Sequence, residues 1–308
     1  MDLQGKRVVV TGATGFLGSH ITRMLLERGA HVVGAVRTPS KGAWLEDLGA
    51  EMTAADLTDK DSLAAAFADA DAVVNNAGLS TREGSPSFQE FKDANRTGVL
   101  NVVDAMAQAG VKRLVHISTV AVYKPKLRRP NDENAAKLID GLPLAWTYLV
   151  TPWRYSLSKA QGEHLLWQKT AAAGLDVTVL RPGPIYGSRD AKLTTRYANA
   201  MRRKVQPAPT FSLPHVHASD VGMAVAGALD NAASIGRAYN VTGKPVSPFE
   251  ALKTWKKLTG KGPLLLPIPL PVWVDYDDGA AERDLGFTCR GIEAGLREVL
   301  QATAEVGC

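Results

Sequence analysis

Short β-branched runs alternate with amphipathic helical stretches over the first 180 residues, and a glycine-rich turn joins the first run to the first helix. Together these predict an α/β fold built on a doubly wound parallel sheet, because parallel neighbours need right-handed crossovers that cover both faces. Beyond Arg181 the alternation loosens: Pro182, Pro184, Pro207, Pro209 and Pro214 interrupt it, and a smaller lobe is predicted there. The expected division is 1–180 and 181–308, with a strand near 238–241 returning to the sheet.

The 308 residues, 45% hydrophobic and 22% charged, can bury a large core without cross-links. Cys289 and Cys308 offer neither a disulfide framework nor metal-ligand spacing, so no metal is expected and a reducing, cytoplasmic setting is the reading. The net charge of +5 is not gathered into one run, which argues against nucleic acid and for a local anionic ligand. No signal-peptide pattern precedes Val8–Val10, and no apolar run reaches the roughly 20 residues of a membrane helix, so no membrane partner is expected. The most apolar segment, Pro263 to Val274, holds Pro267, Pro269 and Pro271 and reads as a wall or lid.

The elements follow in order. Arg7 to Thr11 is a strand, and Phe16 to Arg28 a helix with Leu17, Ile21, Leu25 and Leu26 on one stripe. Gly29 stops that helix before a second strand, His31 to Val36. A weak helix near Trp44 to Leu48, a strand near Glu51 to Ala54, a helix over Asp61 to Phe67 and a strand over Ala72 to Val74 continue the alternation. The capping box Ser87 to Glu90 opens one long helix, Phe88 to Ala109, followed by a buried strand, Leu114 to Ile117. Pro152 to Ala173 reads as helix and Val177 to Leu180 as strand, and lobe helices are expected near Ser219 to Leu229, Pro248 to Leu258 and Gly291 to Ala302.

The run Thr11-Gly12-Ala13-Thr14-Gly15-Phe16-Leu17-Gly18 lies between strand and helix. Its glycines permit close backbone approach to a pyrophosphate, and the helix N-terminus supplies amide donors. At the end of the second strand, where a carboxylate would bond a ribose with two hydroxyls, stands Arg37, with Lys41 nearby. A guanidinium there suits a 2′-phosphate, which favours NADP(H) over NAD(H). Asp56 and Leu57 are candidates for the adenine, and Asn75, Ala77 and Gly78 for packing along the cofactor.

Tyr155 and Lys159 lie four residues apart in a predicted helix and so share a face. A neighbouring ammonium favours the phenolate and lowers a phenol pKa from about 10 toward the working range of an acid or base. His116-Ile117-Ser118-Thr119 ends the fifth strand, on the side where doubly wound sheets bind ligands.

The combination resembles the short-chain dehydrogenase/reductases, specifically the extended branch that also holds nucleotide-sugar epimerases, dehydratases and hydroxysteroid dehydrogenases. Its further markers are Asn95-Arg96-Thr97-Gly98 with Asn101, Glu163 after Tyr155 and Lys159, Arg181-Pro182-Gly183-Pro184-Ile185-Tyr186-Gly187, His217 to Val221 and Tyr239-Asn240-Val241. The resemblance implies a Rossmann domain in which Tyr155 is the general acid/base, Lys159 tunes it and binds the nicotinamide ribose, and Thr119 polarises the substrate oxygen. It implies a supporting place beside the cofactor for Ser118, Asn95, Pro182 and Ile185, a structural His217, and a homodimer through the helices at 88–109 and 152–173.

Val120 and Ala121 replace the acidic pair that the family's sugar 4,6-dehydratases carry after the catalytic Thr, and Arg37 departs from the acid typical of its NAD-retaining epimerases. The expected activity is therefore an NADP(H)-dependent carbonyl reductase or alcohol dehydrogenase. A nucleotide-sugar epimerase or reductase is the alternative, and a cofactor-sensing regulator is disfavoured because Tyr155 and Lys159 are both present. The connection from Lys124 to Trp153, with Lys126, Arg128, Arg129, Trp146 and Tyr148, is expected to border the substrate or to form a solvated insertion.

Overall fold

A computed structural model describes residues 1–80, 86–124, 130–140, 153–270 and 274–306. Lys126, Arg128, Arg129, Trp146, Tyr148, Pro152 and Pro271 lie outside the described residues.

Seven parallel strands form the central sheet: β1 Arg7–Thr11, β2 His31–Val36, β3 Glu51–Ala54, β4 Ala72–Asn75, β5 Arg113–Ile117, β6 Asp176–Pro182 and β11 Arg237–Val241. Their order is β11-β6-β5-β4-β1-β2-β3, so the sheet winds outward in both directions from β1 and β4. Both faces are covered. Val8 and Val10 of β1 join the core cluster on one side, with Ile21 and Leu25, while Val9 joins the other, with Val99, Val102 and Val103. Burial on both faces is why these strands read as continuous apolar runs.

Helices α1 Phe16–Glu27, α2 Ala43–Glu46, α3 Lys60–Ala66, α4 Phe88–Lys92, α5 Gly98–Ala109 and α6 Trp153–Ala173 supply the crossovers. Asp59 caps α3 by accepting from the amides of Asp61 and Ser62, and Ser87 with Glu90 forms the capping box of α4. The long helix expected over 88–109 is instead interrupted by a π-helical turn, Asp93–Thr97. Here α6 comes closest: a Cβ on Gly162 would stand 1.9 Å from the carbonyl oxygen of Asn95. The widened turn thus lies where the α6 backbone presses on the helix, a tertiary contact invisible to local periodicity.

After the short strand β7 Ile185–Tyr186 come α7 Ala191–Met201, β8 Val205–Pro209, β9 Leu213–Pro214, β10 Val216–His217 and α8 Ala218–Asp230. Helix α8 packs on α1, with Gly222 against the His20 carbonyl and Met24, and leads into β11, which pairs β6 in parallel. The chain then forms β12 Pro245–Val246, α9 Pro248–Thr259, β13 Leu264–Ile268, α10 Gly279–Leu285 and α11 Ile292–Val306. Helix α7 and the parallel pairing of β8 with β13 appear where the prolines suggested only breaks. The pairing survives because those prolines sit on a two-stranded ribbon, where alternate amides need no ladder partner.

Candidate active site

A cleft of about 1420 Å³ runs along the C-terminal ends of the strands, between the sheet and the elements outside it that follow β6, here termed the lobe. At one end the β1–α1 turn brings Gly12, Thr14, Gly15, Phe16 and Leu17 to its wall. Gly12 has φ +67° and comes so close to the next loop that a Cβ would stand 3.1 Å from the Ala77 Cα. Gly15, the N-cap of α1, has no side chain to stand over the first-turn amides. Backbone donors, a helix dipole and the absence of side-chain bulk fit a pyrophosphate.

Arg37 and Lys41 line the same end, are exposed, and make no ion pair with any other described residue. Asp56 and Leu57 form the adjoining wall. The Asp56 carboxyl is held below its ordinary range by hydrogen bonds from the Thr58 amide and hydroxyl, with a smaller contribution from the charge of Arg37. Asn101 donates to the Leu57 carbonyl (2.7 Å), which ties that wall to α5.

Two residues assigned from sequence to cofactor contact stand behind the wall. A Cβ on Gly18 would meet the Gly12 carbonyl oxygen at 2.1 Å, so its place is the close packing of α1 on the turn. Asn75 is buried beneath the floor, accepting from the Thr11 hydroxyl (3.0 Å) and sharing a hydrogen bond with His116 Nδ1 (3.1 Å). The hydroxyl of Thr11 also accepts from the Asn76 and Ala77 amides, fixing the loop that carries Ala77 and Gly78 into the cleft.

At the other end Ser118, Thr119, Tyr155 and Lys159 meet on one wall, with Asn95, Pro182 and Ile185 beside them. Thr119 follows the end of β5 by two residues and accepts from the Ala121 amide (3.2 Å), capping a 3₁₀ turn that leaves its hydroxyl proton available for donation. Lys159 is buried and donates to the Ile117 carbonyl (2.8 Å). Burial lowers its pKa to about 8, against the opposing pull of the Glu163 carboxylate one turn further on. Tyr155, Lys159 and Glu163 recur every four residues and so share a face of α6. Asn95 donates to the Leu79 carbonyl (3.0 Å) and the Ser158 hydroxyl (3.1 Å), and accepts from the Leu79 amide (2.9 Å). It therefore staples the loop after β4 to the helix that carries Tyr155.

Behind this wall lies a connected buried network. Ser118 donates to Glu163 (2.6 Å), Arg181 forks onto the same carboxylate, and the other arm of Arg181 reaches the Tyr123 hydroxyl (2.6 Å) and the Glu133 carbonyl (3.0 Å). Tyr123 donates to Asn240 (2.7 Å), whose amide group donates to the Asn131 and Asp277 carbonyls. Burial alone would raise the Glu163 pKa, but Arg181 overrides it and the net shift is downward; Arg181 is correspondingly raised in spite of its own burial. Glu163, Arg181 and Asn240 were noticed in the sequence as family markers, Tyr123 as the end of the run from His116 and Glu133 as part of the connection after it, whereas nothing in the sequence joined Asn131 to the site.

The lobe contributes Phe211, Leu213, Pro214, Leu270, Val274 and Tyr276. Leu270 and Val274 come from the segment read in sequence as a wall or lid, and Pro214 was read only as a break; Phe211, Leu213 and Tyr276 carried no sequence signal. His217 is buried away from the cleft lining, where it accepts from the Ser219 amide, and burial lowers its pKa to about 3. Cys289 is half-buried, with its thiol pushed up to about 11 by burial.

A profile of the NAD dependent epimerase/dehydratase family matches residues 8–242. This chain belongs to that family. Within it, the chain is an enzyme-type member of the extended short-chain dehydrogenase/reductases, a family of nicotinamide-binding proteins. It is 30% identical over 272 residues to sterol demethylase protein B of Methylococcus capsulatus, a match covering 85% of this chain and 77% of the relative. It is 31% identical over 210 residues to 3 beta-hydroxysteroid dehydrogenase type 7 of Mus musculus, covering 63% of this chain and 54% of that protein. Cinnamoyl-CoA reductase 2 of Arabidopsis thaliana is 34% identical over 200 residues, covering 61% of this chain and 57% of the relative. In fold, the chain is similar to a UDP-glucose 4-epimerase from Thermotoga maritima, with TM-score 0.80, 21% identity and coverage of 98% and 100%. Among the described residues no helix is long and apolar enough to cross a membrane, and no metal-ligating cluster occurs.

Proposed function

We propose that this family member is an NADP(H)-dependent oxidoreductase that interconverts an apolar ketone or aldehyde and the corresponding alcohol. The observation that carries this reading is the contrast across the cleft. Polar groups converge at the strand ends, while the described residues of the lobe wall present no charged side chain. A nucleotide sugar brings a diphosphate that would need cationic or amide partners there. An uncharged organic carbonyl needs only apolar packing and one or two aimed polar groups.

Gly12, Thr14, Gly15, Phe16 and Leu17 of the α1 turn would hold the pyrophosphate, with Gly18 supporting the turn from behind. Arg37 and Lys41 would meet the 2′-phosphate, Asp56 and Leu57 would border the adenine, and Ala77, Gly78, Pro182 and Ile185 would line the path to the nicotinamide. The bound nicotinamide supplies or accepts the hydride. In the reduction direction Thr119 donates a hydrogen bond to the carbonyl oxygen. As hydride reaches the carbon, the Tyr155 hydroxyl gives its proton to the oxygen, and the product is the neutral alcohol. The Lys159 ammonium stabilises the resulting phenolate, holds the ribose, and is itself aimed by the Ile117 carbonyl. Asn95 and Ser118 act through others, keeping α6 and the end of β5 in register. Helices α5 and α6 are the proposed faces of a homodimer, which light scattering would measure.

Native mass spectrometry for retained cofactor, followed by NADPH and NADH depletion with a panel of ketones and aldehydes, tests the reading. NADPH-preferring turnover that falls at least roughly a hundredfold in Tyr155→Phe supports it. Retained NAD, with conversion of a sugar nucleotide and no net cofactor consumption, would establish the alternative of a nucleotide-sugar epimerase. That alternative is favoured by the similarity to MoeE5, whose structure is in complex with UDP-glucose and NAD (26% identity, TM-score 0.78, coverage 98% and 100%).

A further inference from the structure

The parallel ribbon of β8 and β13 is two-faced. Its register pairs Val205 with Leu264, Pro207 with Leu266 and Pro209 with Ile268, so these six side chains share one face of the pleat. The opposite face, with Ala208 and Leu265, packs on Leu252 and Phe249 of α9. The first face is left to solvent: Leu264 is 62% exposed, Leu266 44%, Val205 44% and Ile268 40%. With Leu270 these make up five of the six large hydrophobic residues exposed among the described residues, so the exposure is concentrated in one patch.

Charge surrounds this face asymmetrically. Residues 191–214 and 244–270 together hold ten lysines and arginines and a single acid, Glu250, although the whole chain carries a net charge of only +5. Among the described residues only one of the ten, Lys257, is ion-paired, with Glu293. Four of the ten lie at the ribbon's N-terminal end. Arg202 and Arg203 precede Lys204, whose carbonyl accepts from the Leu264 amide (2.9 Å), and the Lys256 ammonium donates to the Pro263 carbonyl (2.8 Å). The C-terminal ends of both strands run the other way, into the cleft. Two residues beyond Pro209 is Phe211, two beyond Ile268 is Leu270, and both line the cleft.

From this arrangement we infer that the β8–β13 face docks on an anionic lipid bilayer, with the apolar side chains in the interface and the lysines and arginines against the headgroups. An apolar strip rimmed by unpaired cations matches a surface that is negative outside and hydrocarbon within. Pairing with a second copy would instead bring two such cationic rims together. The cleft mouth then opens at the bilayer, so an apolar substrate reaches Phe211 and Leu270 without crossing water. The expectation of no membrane partner rested on the lack of a long apolar run, a criterion that an alternating strip does not meet.

The test is sedimentation of the full-length protein with phosphatidylcholine vesicles, with and without phosphatidylglycerol. Expected are binding to the anionic vesicles alone, weakening as salt rises, and a loss of roughly tenfold or more in affinity in both Leu266→Glu and Lys204→Glu. Both positions are exposed and outside the cleft lining, so melting temperature and turnover of a water-soluble carbonyl remain at wild-type values. Absence of vesicle binding, equal binding to neutral vesicles, or wild-type binding by both variants would each overturn the inference. So would a dimer in light scattering that Leu266→Glu dissociates, since it would assign the face to a second copy. Vesicle binding needs no turnover, so its failure is separate from a failure of the proposed reaction.

Discussion

The two walls of the cleft are built on opposite principles. On the sheet side, Lys159 is held by the Ile117 carbonyl and Ser118 by Glu163, which Arg181 holds in turn. On the lobe side, Phe211, Leu213, Pro214, Leu270 and Val274 present shape and apolar surface. The difference teaches where precision is needed. Proton transfer tolerates little displacement of donor and acceptor, so its wall is cross-braced by hydrogen bonds and a buried ion pair. Recognition of an apolar body depends on area and shape, which scattered side chains of a small lobe can provide.

The largest effect should follow from cutting the brace. Glu163→Gln removes the charge partner of buried Arg181 while keeping the carboxylate's size, and leaves an uncompensated guanidinium in the interior. A loss of about 3–5 kcal/mol in unfolding free energy is expected from chemical denaturation. A loss below about 1 kcal/mol would mean that Tyr123 and the Glu133 carbonyl suffice to hold Arg181, and that the brace is no stronger than the wall opposite.

Next in size is the adenosine end. Arg37→Ala removes a charge-assisted contact to the proposed 2′-phosphate. It should weaken NADPH binding by about 1.5–3 kcal/mol, roughly ten- to a hundredfold, and leave NADH binding within about twofold. Isothermal titration with both cofactors decides it; equal losses for the two would return Arg37 to the role of a solvated surface cation.

What could be read from the sequence divides along the same line. The sheet wall was legible because its chemistry depends on short-range order: a glycine turn between strand and helix, Tyr155 and Lys159 one turn apart, Ser118 and Thr119 at a strand end. The π-helical turn at Asp93–Thr97 was not legible, since it arises from the approach of Gly162 in a helix 60 residues away. Asn75 was misplaced for a related reason: sequence puts it at the end of β4, but only the neighbouring Thr11 and His116 turn its side chain under the floor. The lobe wall left a partial trace, the apolar segment from Pro263 to Val274, but not its pairing. Leu264, Leu266 and Ile268 do alternate, yet Pro267 between them and Pro269 after them masked a strand whose partner, β8, lies nearly 60 residues earlier.

A smaller effect is expected from the lobe wall itself. Phe211→Ala trims one apolar contact from a surface made of several, so the loss should be on the order of 1 kcal/mol, about fivefold in KM. Because no reacting atom is displaced, kcat should hold. Steady-state kinetics on two carbonyls of different apolar size separates the outcomes: the larger substrate should suffer more. A fall in kcat with unchanged KM would instead place Phe211 among the groups that orient the reacting carbon.

The effect that is smallest near neutral pH concerns the braced wall and comes from protons. Burial places the Lys159 pKa at about 8, and the Glu163 carboxylate keeps it from falling further. The cationic form, which supports the Tyr155 phenolate, therefore prevails below that value and is lost as pH rises through it. With NADPH and a neutral carbonyl, kcat/KM should halve near pH 8 and then fall by about tenfold per unit. Folding stability responds in the opposite sense. A lysine whose pKa is depressed in the folded state binds its proton more weakly there than in the unfolded chain. Stability should therefore rise with pH over the window from about 8 to the unfolded value of about 10.4. Activity falling while stability rises over one pH range is a signature that a merely structural lysine would not give, and Lys159→Met should abolish both trends. If the alkaline limb stays at pH 8 in that variant, another group sets it, and the polar wall tunes its proton chemistry elsewhere than at Lys159.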